Sequence, residues 1–307
     1  MKYQHFTYKE HGFCGHLVMP SRKSTKAVLV FAGGEKSLLP GIQIAEAFAD
    51  YGIIGMAVSL FGGPGLPKGA DRIPIEMGIK AADWIRENVH PKTLCTYGMS
   101  MGSIFAVYTA KYTSIDKVIL CSPTHAAFEG SPDKKHRTHH SIITKEGKDL
   151  PFIPLDLSSY KAGRYYPHPN QDMQVTGMWL SYRDAYMDLE AGKKASLPID
   201  TISSEVLLIA GSADEMWPSF YSIQMMKKKM DLAKKTNVRI LIFKNAGHLV
   251  GMMPNRKHHP WVYRALPLIG KRYKRLNDSR KDSLDALEFS RQEIIKFIMY
   301  DSTEEEL

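Results

Sequence analysis

Apolar residues along the chain fall into two patterns that take turns. Short continuous apolar runs recur at 26–32 (KAVLVFA), 53–60, 93–97, 117–121, 205–210 and 238–243. Runs of this length, bounded by turn residues and rich in β-formers, predict strands buried on both faces. Between them the apolar spacing is helical. Helices are predicted at 40–51, ended by Gly52; at 75–88, where Ile75, Ile79, Ala82 and Ile85 share a face; from 103 onward; at 217–234; and at 283–299, with Leu284, Leu287, Ile294, Ile295 and Ile298. Residues 11–19 read as an edge strand or half of a hairpin, closed by Pro20.

This rhythm breaks between 125 and 201, which holds no strong buried run but many prolines and aromatics. A structureless loop of that length is out of place in a compact domain, so the segment is expected to be an inserted cap or lid. One helix is expected inside it, at about 175–189, with Met178, Trp179, Tyr182, Tyr186 and Leu189 on one side. The alternation elsewhere predicts an α/β protein with a mostly parallel, doubly wound sheet. The expected organisation is one domain over 1–307, its core at about 10–124 and 202–300. Ligands of such sheets bind at the carboxyl ends of the strands, so the loops there are where chemistry is sought.

Three of those loops carry it. The strand 93–97 runs into Gly98-Met99-Ser100-Met101-Gly102 and then into a helix. In this strand–turn–helix context, G-x-S-x-G predicts a strained turn that lifts the Ser hydroxyl above the sheet. A Cβ at Gly98 or Gly102 would strike neighbouring backbone. A hydroxyl needs a base to take its proton, and the base needs a carboxylate to orient it. Of the 12 histidines, only His248 follows a late core strand directly. Asp214 follows the strand 205–210 in Gly211-Ser-Ala-Asp-Glu-Met-Trp217. Its neighbour Glu215 is the close rival, expected instead in the first turn of the next helix. The order Ser100, Asp214, His248 is that of α/β-hydrolases. Met101 is expected to offer one oxyanion N–H and Gly33 or Gly34 the other, with the choice between the glycines open.

These motifs resemble the catalytic domain of the bile acid-CoA:amino acid N-acyltransferase and acyl-CoA thioesterase family. The resemblance rests on Tyr97-Gly-Met-Ser-Met-Gly102, on Asp214-Glu-Met-Trp217-Pro-Ser, and on Asn245-Ala-Gly-His248-Leu-Val. Phe61-Gly-Gly-Pro-Gly-Leu-Pro and Pro74-Ile-Glu resemble the loop ahead of the elbow helix, residues 125–159 the lid, and 283–298 the closing helix. It implies an α/β-hydrolase fold and cleavage of an acyl ester or acyl-CoA thioester through an acyl-enzyme, without cofactor. The helix in the lid is then either lid packing or a wall of an acyl pocket. Animal members carry a preceding all-β domain, for which the residues before Lys26 are too few. The acyltransferase branch has a Cys nucleophile where this chain has Ser100, which favours hydrolysis. Other readings are a carboxylesterase or peptidase of the same fold, or a catalytically silent binding module.

Charge and composition alter little. The net charge of +9 admits an anionic partner, but the basic residues are spread over 227–229, 234–235, 256–257 and 271–275, where they read as solvated faces. Nucleic-acid binding is not expected. His136, His139 and His140 imitate a metal site at helical spacing, yet no carboxylate or Cys completes it, so a solvated lid segment is expected. Arg256-Lys-His-His259 reads as a surface loop. Three scattered cysteines, Cys14, Cys95 and Cys121, fit neither a disulfide framework nor a metal centre. With no signal peptide and no apolar run of membrane length, a cytoplasmic protein is expected. Oligomeric state is not legible.

Overall fold

In a computed structural model, the described residues are 1–300 apart from 35, 134–135, 159–163 and 254–275, with only the backbone of 276–283. The predicted runs become strands of one eight-stranded sheet. In chain order these are β1 (Lys2–Phe6), β2 (Cys14–Met19), β3 (Lys26–Phe31), β4 (Ile54–Ser59), β6 (Thr93–Met99), β7 (Lys117–Cys121), β12 (Glu205–Gly211) and β13 (Val238–Phe243). Their spatial order is β1-β2-β4-β3-β6-β7-β12-β13. Strands from β4 to β13 are mutually parallel, while β2 runs antiparallel to both β1 and β4. The predicted half-hairpin at 11–19 is therefore the inner strand of the pair. Its partner β1 is joined to it through the one-turn helix α1 (Tyr8–His11).

The crossovers are α2 (Leu39–Asp50), α3 (Glu76–Asn88), α4 (Gly102–Tyr112) and α7 (Ser219–Leu232), and the closing helix is α8 (Leu276–Met299). Every residue of β4, β6 and β7 is buried, as expected of strands covered on both faces. One side packs α3, α4 and α7 through Phe31, Leu29, Ile85, Phe105 and Met226, the other α2 and α8 through Phe48, Tyr97, Ile119, Ile294 and Ile298. Lys117 on β7 is 2% exposed, and its ammonium donates to the carbonyls of Phe297 and Tyr300 at 2.9 and 2.6 Å. It thus satisfies carbonyls at the end of α8 that the helix itself leaves open.

Between β7 and β12 the chain leaves the sheet. There β8 (Ile143–Lys145) pairs with β9 (Lys148–Asp149) and with β5 (Ile73–Pro74) from ahead of α3, and β10 (Tyr165–Pro167) pairs with β11 (Gln174–Thr176). Two helices replace the single one expected at 175–189: α5 (Gly177–Ala185) and α6 (Leu189–Ala195). The break comes at Asp188, whose carboxylate caps the second helix by accepting from the Ala191 N–H at 3.0 Å. Met178, Trp179 and Tyr186 are buried, but Leu189, placed on the same side by helical spacing, is 72% exposed. This segment has its own apolar cluster, built around Phe128, Ile153, Leu155, Met178 and Tyr186.

Lys229 on α7 and Lys235 after it depart from the expected solvated face, whereas Lys228 and Lys234 are exposed as expected. Lys229 donates to Ser196 and Leu197 and pairs with Asp200, and Lys235 donates to the Ile202 carbonyl, so both tie this region to the chain ahead of β12. The basic stretches at 256–259 and 271–275 lie outside the described residues. Among the described residues, no helix is long and apolar enough to cross a membrane.

Candidate functional site

Strands β6, β12 and β13 end at the same edge of the sheet, and their following turns converge. Ser100 sits directly after β6 with φ +56, a left-handed conformation that costs a non-glycine residue energy. The turn is held by the Ser100 N–H donating to the Cys121 carbonyl at 2.9 Å and by Ser103 Oγ donating to the Ser100 carbonyl at 2.6 Å. Both flanking glycines are sterically required. A Cβ at Gly98 would lie 2.7 Å from the Gly102 carbonyl oxygen, and one at Gly102 would lie 2.0 Å from that of Phe31.

The other two turns bring His248 and Asp214. His248 Nε2 stands 3.0 Å from Ser100 Oγ, and its Nδ1 stands 3.0 Å from each oxygen of Asp214. Asp214 and His248 are 5% and 9% exposed, so this chain of hydrogen bonds runs through poorly solvated space. Asp214 Oδ1 also accepts from the N–H groups of Met216 and Trp217 at 2.9 and 3.3 Å, and Oδ2 from Ser219 Oγ at 2.5 Å. Its rotamer is thereby fixed from four sides. The main chain of His248 is fixed as well: Ser122 Oγ donates to its carbonyl at 2.7 Å, and Tyr97 on β6 donates to the Gly251 carbonyl at 2.9 Å. The Trp217 indole stands edge-on to the imidazole at 5.7 Å, locked by its N–H to the Ser122 carbonyl.

Glu215 departs from its expected place. α7 starts only at Ser219, so Glu215 lies in the turn, 8% exposed, with its carboxyl against Gly247. Burial first, then the neighbouring Asp214, pushes this carboxyl up to about 7, while His248 pulls it down. It is Asp214 that faces the imidazole.

Met101, at the start of α4, and Gly33, after β3, have N–H groups without an acceptor among the described residues. Gly33 adopts φ +116, and a Cβ there would lie 3.0 Å from the Met99 carbonyl oxygen and 3.4 Å from Ser100 Cβ. Gly34 is exposed and has open space around its Cβ position. Of the two glycines, only Gly33 abuts the serine turn.

Tyr182 packs edge-on against both Phe128 and Trp217, carrying the aromatic layer from the segment between β7 and β12 to the site. A cavity of about 330 Å³ opens beside Trp179, Tyr186, Trp217 and Tyr221 and reaches Asp214. It lies on the Asp214 side of the site, and neither Ser100 nor His248 lines it.

The histidines at 136–140 lie on a solvated segment, as expected, and each also meets a carboxylate. His136 pairs with Asp133 at 2.5 Å, His139 with Glu129 at 3.4 Å, and His140 with Asp149 at 2.9 Å. The three carboxylates are separate, and among the described residues no three ligating groups gather into a metal site. Sequence reasoning passed over Ser219, Ser103 and Ser122. Ser219 alone left a signal, in the Asp-x-x-Trp-x-Ser pattern.

No curated protein sequence matches the chain. Among solved structures, the acylaminoacyl peptidase of Pyrococcus horikoshii superposes with a TM-score of 0.54 at 14% identity, over 98% of this chain and 43% of that one. Dienelactone hydrolase from Anabaena variabilis gives 0.46 at 15% identity over 89% and 98% of the two chains. Est1E from Butyrivibrio proteoclasticus gives 0.43 at 13% over 85% and 94%. At such identities the likeness concerns fold alone, and the fold is that of the α/β-hydrolases. The sequence profile described as BAAT / Acyl-CoA thioester hydrolase C terminal matches residues 75–266, a stretch that includes Ser100, Asp214 and His248, and the chain belongs to that family.

Proposed function

We propose that the protein is a serine hydrolase of acyl esters or acyl thioesters, acting through an acyl-enzyme on Ser100. The observation that carries this reading is the unbroken hydrogen-bond chain from Ser100 through His248 to Asp214. His248 Nε2 takes the hydroxyl proton as Ser100 Oγ bonds to the acyl carbon, and Asp214 stabilises the imidazolium that forms. Charge then develops on the former carbonyl oxygen, where the N–H groups of Met101 and Gly33 receive it. Collapse breaks the bond to the leaving group, which takes the imidazolium proton and departs as a thiol or an alcohol, leaving His248 neutral. Water, deprotonated by the same imidazole, attacks the acyl-enzyme; the acid is released and Ser100 regains its proton.

Family membership favours the thioester, and a Ser rather than Cys nucleophile favours water as the acyl acceptor. In this reading the segment between β7 and β12 is a lid on a single hydrolase domain. Its aromatic contacts through Tyr182 and Trp217 exclude water from the imidazole. A carboxylesterase or peptidase of the same fold would use the same groups. The deciding experiment compares p-nitrophenyl esters with acyl-CoA thioesters of matched acyl chains at equal concentration. Faster kcat/KM on the thioesters is expected. Rapid ester cleavage with negligible thioester turnover would make the protein a carboxylesterase instead.

A further inference from the structure

Glu215 is the second carboxyl of the site and has no task in the steps above. It lies one residue after Asp214, yet its side chain reaches across to the turn that carries His248. A Cβ on Gly247 would come within 2.8 Å of Glu215 Oε2, so the bare glycine leaves the room this carboxyl occupies. There the carboxyl lies against the turn, where the backbone N–H groups of His248 and of Glu215 itself favour its charged form. The Glu215 carbonyl in turn accepts from the Thr176 N–H at 3.0 Å, which anchors the turn to the start of α5. One carboxyl therefore links the acid's turn to the histidine's main chain, alongside the side-chain bond between Asp214 and His248.

A surface helix start would have needed none of this. A buried carboxyl is costly to keep unless its position is used or its partners compensate. The titratable groups acting on it are Asp214, on its own turn, whose negative charge opposes ionisation, and His248, on the facing turn, whose protonated form favours it. The converse follows: an ionised Glu215 stabilises the imidazolium, and a neutral one does not.

On the reading that Ser100 is the nucleophile and His248 its base, we propose that Glu215 is a positioning residue that holds the main chain of His248 and, through its own charge, sets the pH at which the imidazole becomes free to activate Ser100. Burial pushes the Glu215 carboxyl up to about 7, the range in which imidazoles titrate, and two interacting groups of that kind lose their protons in two joint steps. Removing the charge leaves the imidazolium with one anionic neighbour fewer. It then gives up its proton at lower pH, by about one unit, the lower end of the effect of a nearby opposite charge.

Two measurements test this. The first is the rate at which a fluorophosphonate probe labels Ser100 as a function of pH, in the unaltered protein and in Glu215→Gln. The acid-side midpoint is expected to fall by about one unit in the variant. The second is the proton NMR titration of His248 Cε1–H in the unaltered protein, which is expected to follow two steps. It needs no variant, so it decides the matter if Glu215→Gln fails to fold. A single-step titration, or an unmoved midpoint in a folded variant, overturns the role of Glu215 and leaves the nucleophile assignment standing. Absence of labelling at Ser100 in the unaltered protein overturns the nucleophile assignment itself.

Discussion

Asp214 presents both carboxylate oxygens to His248 Nδ1 at 3.0 Å, while two backbone N–H groups and Ser219 Oγ hold it from the other side. The orienting carboxylate is thus itself oriented. Asp214→Asn should reduce kcat by roughly 10⁴, because an amide favours the imidazole tautomer that cannot accept the Ser100 proton. Steady-state kinetics on one ester substrate checks this. A loss of tenfold or less would mean that His248 takes its orientation from another group.

Ser219 is the side-chain member of that support. Ser219→Ala removes a fully buried hydroxyl whose only role visible in the site is its 2.5 Å bond to Asp214 Oδ2. Loss of a hydrogen bond to a charged group costs about 1.5–3 kcal/mol. The expected result is a fall in kcat with KM little changed, together with a lower unfolding midpoint. Unaltered kcat in a destabilised protein would restrict Ser219 to a structural part.

Gly33 and Gly34 separate cleanly by substitution. Gly33→Ala forces a Cβ to within 3.0 Å of the Met99 carbonyl oxygen at a left-handed φ, directly behind Ser100. It should cut kcat by 10²–10³, about the loss seen when one oxyanion donor is removed. Gly34→Ala points into open space and should change stability by less than about 0.5 kcal/mol. Activity assays and thermal unfolding on the two variants distinguish them, and equal losses would contradict the assignment of Gly33.

Much of this site was legible because each of its groups follows a strand that had to be buried. KAVLVF, TLCTY, KVILC and EVLLIA have no solvent-facing alternative, so their ends, and the loops after them, were fixed to within a residue or two. β1 was missed for the opposite reason. Its residues Lys2 to His5 are exposed, and backbone pairing with β2 rather than an apolar face makes it a strand. The start of α7 was placed two residues early because Asp214 draws the N–H groups of Met216 and Trp217 into a turn of their own. The break between α5 and α6 did leave a local mark, the capping Asp188. Glu215 left none. Its burial depends on Gly247 approaching from a strand turn more than thirty residues away in sequence, which no local pattern encodes.

His125 makes a prediction about stability rather than turnover. Its ring is buried against Tyr186 at 4.3 Å and bonded to Ser222, and burial pushes its pKa down to about 4, with Lys229 adding to the effect. The unfolded chain binds a proton at about 6.5, before the folded one does. Stability is therefore unaffected by His125 above that pH and falls as the pH drops from about 6.5 toward 4, by up to about 3 kcal/mol. In urea unfolding, His125→Gln should lose stability less steeply across that window than the unaltered protein. Parallel slopes would show that His125 is not held neutral.

The central claim is that Ser100 and His248 act as one catalytic unit, and a double-mutant cycle on a single ester substrate tests it most directly. Ser100→Ala and His248→Ala should each lower kcat by about 10⁴–10⁶, and the double variant should be hardly worse than either alone, since either loss disables the same step. Losses that multiply in the double variant, or a Ser100→Ala protein that keeps a tenth of the activity, would contradict the account.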